Sequence, residues 1–256
     1  MNDSAPPDGQ SRDAFLGGAL RIDQPRDGYR AGIDPVLLAA SLPARAGETV
    51  LDLGCGAGVA SLCLGRRVPG LALTGLEVQP DYAALARHNA TLNEIDMEVV
   101  TGDLAAPPKA ITARQFDHVM ANPPYFDRSA STPAQNAGRE TALGEKTPLA
   151  TWVAMAARRT RPRGTVTFIQ RAERLPELLS HAAQHLGSLE VLPLIPRAGR
   201  AARLVLLRGR RDGRAAFRLH DGWILHSGTR HEKDGDSYTI AATAILREGA
   251  ALHFPA

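Results

Sequence analysis

Asn122-Pro123-Pro124-Tyr125 is the segment richest in chemistry in this sequence. Two consecutive prolines fix two φ angles and remove two N–H donors. The Asn122 side chain and the Pro123 carbonyl remain as paired acceptors, able to receive both N–H bonds of a planar amino group. A conjugated exocyclic amine is a poor nucleophile, because its lone pair is delocalised. Two acceptors draw its nitrogen towards tetrahedral geometry and aim the lone pair at a methyl group. No strong base is required, since the proton becomes acidic only as the N–C bond forms. Tyr125 adds a face for a flat substrate, and base–aromatic stacking is worth ~1–3 kcal/mol. The plainer alternative is a rigid turn with a core-facing Tyr.

A second group surrounds the glycine loop Asp52-Leu53-Gly54-Cys55-Gly56-Ala57-Gly58. Gly54, Gly56 and Gly58 allow a sharp turn and close approach of a ligand to the backbone. Glu77 lies 19 residues after Gly58, at the end of the next apolar run, where a carboxylate can accept both hydroxyls of a ribose. A P-loop is excluded because no Gly-Lys-Ser/Thr follows. A dinucleotide fingerprint wants glycine where this chain has Val59, and Asp52 would repel a pyrophosphate. Asp52 suits a cationic amino group, which points to a nucleoside bearing an amino acid: S-adenosylmethionine. Asp103 can then accept from the adenine amine. Cys55 reads as a small loop residue with no activating base beside it; with Leu104 it completes the expected cofactor wall.

These groups sit at the ends of short apolar runs. Runs at 49–53, 71–76, 97–100 and 116–121 read as strands ending at Asp52, Glu77, Asp103 and Asn122, with helices between them, as at 80–93. Asp34-Pro35 reads as the N-cap and first residue of an earlier helix. Later come a helix from Thr147-Pro148 to about Arg159, a strand at 165–170, a helix at 175–186, and strands at 189–194 and 203–207 with no helix between them, which predicts antiparallel pairing. The expected fold is α/β: a doubly wound, Rossmann-like sheet of seven strands, mainly parallel with the last antiparallel. Ligands of such sheets bind beyond the carboxyl ends of the strands. Residues 1–14 read as a disordered lead, and residues 16–30 as two extended stretches around a turn at 24–28. One domain is expected over 15–256: a covering segment 15–45, a catalytic core 46–210 and an extension 211–256.

On these motifs the chain resembles the class I S-adenosylmethionine-dependent methyltransferases that carry Asp/Asn-Pro-Pro-Tyr and modify amino nitrogens. The resemblance covers roughly 28–207. It implies that Asp52, Gly54, Gly56 and Gly58 form the methionine-binding loop, Glu77 binds ribose, Asp103 contacts adenine and 122–125 is catalytic. A narrower resemblance, to the tRNA1(Val) adenine-37 N6-methyltransferase family, rests on Gln24-Pro25-x-x-Gly28-Tyr29-Arg30-x-x-x-Asp34-x-x-Leu37-Leu38-Ala39, with Tyr238-Thr239 and Ala244-Ile245-Leu246 in the tail. It implies N6 of adenine in tRNA as the target. Guanine N2 in ribosomal RNA and a protein glutamine amide remain open, as does an RNA-binding module without catalysis. A nicotinamide dehydrogenase is opposed by Val59 and Asp52.

Composition agrees. Hydrophobic residues make up 44% and charged residues 22%, against wholesale disorder. No apolar run approaches the ~20 residues of a membrane span. Two cysteines exclude a disulfide framework and fit a reducing cytoplasm. The net charge is +3, almost all positive charge is arginine, and eight arginines fall between 197 and 218. Arginine prefers planar, bidentate partners such as phosphates, so a polyanion is expected, with Arg30, Arg208, Arg210 and Arg211 as RNA contacts. No metal is expected, the spaced His181 and His185 reading as solvated. The stretch 127–146 reads as a binding loop or lid.

Overall fold

The computed structural model describes residues 6–127, 144–145, 147–228 and 237–255, with 126–127 and 144–145 as backbone only. The chain opens with β1 (Gln10–Phe15), β2 (Leu20–Pro25) and α1 (Asp34–Ser41). Strand and helix then alternate: β3 (Thr49–Leu53), α2 (Val59–Arg67), β4 (Ala72–Glu77), α3 (Pro80–Leu92), β5 (Met97–Thr101), α4 (Lys109–Thr112) and β6 (Phe116–Ala121). Two short pieces, β7 (Phe126–Asp127) and β8 (Gly144–Glu145), pair in parallel. There follow α5 (Leu149–Arg159), β9 (Thr160–Arg171), α6 (Leu175–Ala183), β10 (Gly187–Arg197), β11 (Leu204–Arg210), β12 (Arg218–Leu219), β13 (Trp223–His226) and α7 (Ile240–Glu248).

The main sheet runs β12-β10-β11-β9-β6-β3-β4-β5, with β13 also paired to β10. Seven long strands match the expectation, and β12 and β13 extend the sheet to nine. All neighbours are parallel except β11, which runs against both β9 and β10. The inner strands are apolar on both faces because helices cover both faces. Along β3, Val50 packs into one core with α1, α2, α3 and α7, while Leu51 and Leu53 pack into the other with α4, α5 and α6. In register, Leu53 pairs with Leu76 and Ala121, and Glu77 with Thr101. Gly54, Val78, Gly102 and Asn122 therefore leave the sheet at one edge.

The lead differs from expectation. Residues 10–14 are ordered within β1, which pairs antiparallel with β2 around a turn at Leu16–Gly18, not at 24–28. Leu20 and Ile22 of β2 are fully buried in the core, and α3 adds polar anchoring. Asn93 accepts the Arg21 N–H (2.9 Å) and donates to the Arg21 carbonyl (2.7 Å). Asn89 does the same for Asp23 (2.8 and 3.0 Å) and donates to the Ala57 carbonyl in the glycine loop (3.0 Å). Two amides one helical turn apart thus complete the hydrogen bonding of β2. The Asp23 carboxylate is fully buried but held by Arg12 (2.7 and 2.8 Å) and His88 (2.9 Å), so its charge has partners. Arg12, the foremost influence, holds the Asp23 carboxyl below its ordinary range.

Candidate active site

A cavity of about 430 Å³ opens at the carboxyl edge of the sheet, where the connections leaving the neighbouring strands β3 and β6 turn to opposite sides. Its wall contains Asp52, Gly54, Cys55, Gly56, Glu77, Asp103, Leu104 and the whole of 122–125. Gly58 stands just behind it, capping α2 at φ +86°. Gly54 is required twice over: its φ is +67°, and a Cβ there would lie 2.6 Å from the Trp152 ring.

The acids are placed by backbone donors. Glu77 is 5% exposed and accepts from Gly56 N–H and Gln79 N–H, both at 2.9 Å. Desolvation raises its carboxyl above the ordinary value, and these N–H groups pull it back. Each oxygen keeps a lone pair for a ribose hydroxyl. Asp52 is 3% exposed, and its Oδ2 accepts the Ser61 hydroxyl at 2.8 Å. Burial pushes it up to about 7, against the Ser61 hydrogen bonds. A buried carboxylate so poised gains most from a neighbouring cation. Asp103 spends one oxygen on Ala105 N–H (2.8 Å). The Cys55 thiol is pushed well up by burial, then by the charges of Asp52 and Glu77, which suits a packing role. The wall therefore offers an acid near a cation position, a diol acceptor and a further acceptor, and these fit S-adenosylmethionine.

On the other side stands the Asn-Pro-Pro-Tyr segment, at the end of β6. The Asn122 Oδ1 is buried without a hydrogen-bond partner among the described residues. From β9, Gln170 Nε2 approaches the Pro123 and Pro124 carbonyls (3.5 and 3.4 Å), and Arg174 donates to Pro124 (3.3 Å). The Tyr125 hydroxyl donates to the Asp34 carboxylate, and Arg171 lies over its ring, 5.3 Å from the centroid. Asp34 makes no N-cap bond, contrary to the expectation for α1; Ile33 holds the cap position and the Asp34 carboxylate turns to Tyr125. Tyr29, Val78 and Trp152 also line the cavity. Tyr29 stands in the lead motif Gly28-Tyr29-Arg30, whereas no spacing singles out Trp152; Val78, an apolar residue directly after Glu77, carries a readable signal.

The arginines expected to meet RNA stand at different places in the structure, and Arg208 is turned inward. β11 is antiparallel, so Leu204 pairs with Arg171 at the cavity edge while Arg210 pairs with Thr165 at the opposite edge. Arg208 points inward: it donates to the Ser41 carbonyl and stacks 3.9 Å over Phe254, and burial lowers it to about 10. Arg211 braces the Thr160 carbonyl (2.6 Å). Arg30 is tied to Asp13 (2.5 Å) and Ser11 (2.6 Å) on the hairpin. Among the described residues no group of three His, Cys, Asp or Glu converges as a metal site, and no helix is long and apolar enough to cross a membrane. Of the expected binding loop at 127–146, residues 128–143 and 146 lie outside the described residues.

Comparison with known proteins finds methyltransferases. Residues 31–139 match the methyltransferase small domain family. A tRNA1(Val) (adenine(37)-N6)-methyltransferase of Aeromonas hydrophila is 30% identical over 213 residues, covering 81% of this chain and 87% of that protein. Its namesake from Porphyromonas gingivalis is 31% identical over 182 residues, covering 68% and 71%. Among solved structures, one described as a predicted O-methyltransferase from Agrobacterium tumefaciens superposes with a TM-score of 0.67 at 23% identity, over 87% of this chain and all of that one. The Thermus thermophilus 16S rRNA N2 G1207 methyltransferase, solved with AdoMet and guanosine, gives 0.55 at 18% identity, over 79% of this chain and 50% of that one. The fold is that of the class I methyltransferases, the cofactor is S-adenosylmethionine, and the chain belongs to the tRNA1(Val) (adenine(37)-N6)-methyltransferase family.

Proposed function

We propose that this protein transfers a methyl group to N6 of an adenine in tRNA, with adenine 37 of tRNA1(Val), the target named for its relatives, as the first candidate. The observation that carries the reading is the buried, unpartnered Oδ1 of Asn122 in the cavity wall. Such an atom costs free energy unless a donor arrives, and an exocyclic amine is a donor of the right kind.

S-adenosylmethionine supplies an electrophilic methyl group on a sulfonium. Glu77 would hold its ribose, Asp52 its amino group, and Asp103 with Leu104 its adenine. The target amine donates one N–H to Asn122 Oδ1 and the other to the Pro123 carbonyl. Positive charge develops on the nitrogen as its bond to carbon forms, so both acceptors bind more strongly in the transition state than before it. The proton then leaves to solvent. The Tyr125 ring takes the face of the flipped base. A cytoplasmic setting accompanies this reading, since tRNA is the substrate and Cys55 and Cys63 are free thiols. RNA would approach the cavity edge, where Arg171, Arg174, Arg200 and Arg203 cluster around the end of β9 and the β10–β11 turn.

Purified protein, S-adenosylmethionine and a tRNA1(Val) transcript test the reading, with nucleoside mass spectrometry after digestion. N6-methyladenosine supports it. N2-methylguanosine, or methylation of a protein glutamine instead of RNA, overturns it.

A further inference from the structure

Pro123 and Pro124 carry no N–H, so this part of the segment cannot be tied down through donors of its own. Its carbonyls are the handles that remain. In the parallel register of β6 and β9, Ala121 stands opposite Phe168, so two residues further on Pro123 comes level with Gln170. β6 has ended by then, and the Gln170 side chain takes the place of the ladder.

Gln170 is fully buried, directly after the buried Phe168 and Ile169. A carboxamide in such a place costs free energy unless both of its ends are satisfied. Its Oε1 accepts the Arg171 N–H at 2.8 Å. That bond fixes which way the amide faces, with Nε2 turned to the Pro123 and Pro124 carbonyls at 3.5 and 3.4 Å. Hydrogen bonds around a reaction centre are often long before substrate binds and tighten with it. Arg174, itself held by Glu177 at 2.8 Å, reaches the same Pro124 carbonyl at 3.3 Å. The end of β9 and the turn after it therefore supply the donors that the two prolines lack. A carbonyl oxygen has two lone pairs, so Pro123 can take Gln170 on one and an amine on the other.

We infer that Gln170 is a positioning residue: its carboxamide, oriented by the Arg171 N–H, holds the Pro123 carbonyl where it accepts the second N–H of the target amine. This rests on the methyl-transfer reading above. The amine is then held by one acceptor that belongs to β6, Asn122, and by a second that β9 keeps in place.

Gln170→Glu changes only the end that faces the carbonyls. One carboxylate oxygen keeps the Arg171 N–H, and the other meets the two carbonyls as acceptor against acceptor. In single-turnover methyl transfer at saturating tRNA and S-adenosylmethionine, this variant is expected to lose about tenfold in rate or more, the worth of one buried hydrogen bond turned to repulsion. Cofactor affinity by calorimetry and KM for tRNA are expected to stay within about twofold, since the amide acts on the placement of one acceptor. A rate equal to the parent's overturns the assignment. Gln170→Met removes the donor without adding charge, and is used if the carboxylate unfolds the strand; the same loss is expected. The discriminating step is binding. RNA hairpins carrying adenine or purine riboside at the target position are compared, the second lacking the amine. Parent protein is expected to prefer adenine, and the variant to lose about threefold or more of that preference. General loosening of the site would weaken both hairpins alike, so an unchanged preference overturns the assignment. If neither variant folds, the parent decides: the NMR signal of the Gln170 side-chain amide is expected to shift more with the adenine hairpin than with the purine riboside hairpin, and equal shifts overturn the assignment. A parent protein that methylates no adenine refutes the functional reading itself and takes this inference with it, which is seen before any variant is compared.

Discussion

Tyr125, in the cavity wall, donates its hydroxyl to the carboxylate of Asp34. One belongs to the Asn-Pro-Pro-Tyr segment after β6 and the other to the first turn of α1. Desolvation lifts the Asp34 carboxyl above its ordinary value, and the Tyr125 hydroxyl opposes that rise. Burial, then the charge of Asp34, raise the Tyr125 phenol as well, so it remains protonated and able to donate. The bond fixes the ring that, on the proposed function, stacks on the target base.

Tyr125→Phe keeps that stacking face but leaves the Asp34 carboxylate without its donor. The expected loss of stability at neutral pH is about 1–3 kcal/mol, towards the lower figure because Asp34 keeps some contact with solvent. The penalty belongs to the ionised form. Without the hydroxyl the folded-state value of Asp34 rises further, so the folded variant gains a proton before the unfolded chain does. The deficit therefore shrinks as pH falls through that folded value. Melting temperatures of parent and variant at pH 7.5 and pH 5 check this; a gap that stays constant or widens at pH 5 contradicts it.

Asp52 makes cofactor binding sensitive to pH. With its carboxyl pushed up to about 7, it is half protonated near neutrality in the free protein. An ammonium bound beside it favours the carboxylate, so binding expels a proton. Affinity is expected to fall as pH drops below 7, approaching tenfold per unit until the bound-state value is reached. Calorimetry at pH 6.5 in two buffers of different ionisation enthalpy reads the released proton directly. Asp52→Asn is expected to abolish the release and flatten the profile. Equal affinity from pH 8 to pH 6 in the parent contradicts a cation at this position.

On the proposed function, strand direction puts Arg200 and Arg203, not Arg210, at the edge that RNA would approach. Replacing Arg200 and Arg203 with Ala is expected to flatten the salt dependence of RNA binding, by about 0.7 in log–log slope for each single-strand phosphate that is no longer neutralised. Arg210→Ala, at the far edge of the sheet, is expected to leave the slope alone. The reverse pattern would place the RNA at the amino ends of the strands, away from the cavity.

Those arginines show where sequence reading reached its limit. The apolar runs, the glycine loop and the acids at strand ends are local patterns, and each stands in the structure beside the cavity. Arg203, just before β11, and Arg210, at its end, lie at opposite edges of the sheet whichever way the strand runs; its reversal is what puts Arg203 rather than Arg210 beside the cavity. The antiparallel pairing was readable; its consequence for side-chain placement follows only once the register is known. The hairpin at 10–25 was hidden for another reason. Gln10–Phe15 carries little apolar pattern, and its partner β2 is satisfied by Asn89 and Asn93 far along the chain. Asp34 looked like a helix cap because Asp-Pro favours that role locally, whereas a buried Tyr hydroxyl from a distant segment claimed it instead.

On the proposed function, Asn122 acts on the transition state of methyl transfer to an adenine amine. The direct test is single-turnover formation of N6-methyladenosine by Asn122→Ala at saturating tRNA and S-adenosylmethionine. Removing one preorganised polar group of this kind typically costs ~10²–10³ in kcat, and that loss is expected here with cofactor and tRNA affinity retained. Methyl transfer by Asn122→Ala at close to the parent rate would contradict the account and reduce the Asn-Pro-Pro-Tyr segment to a rigid turn.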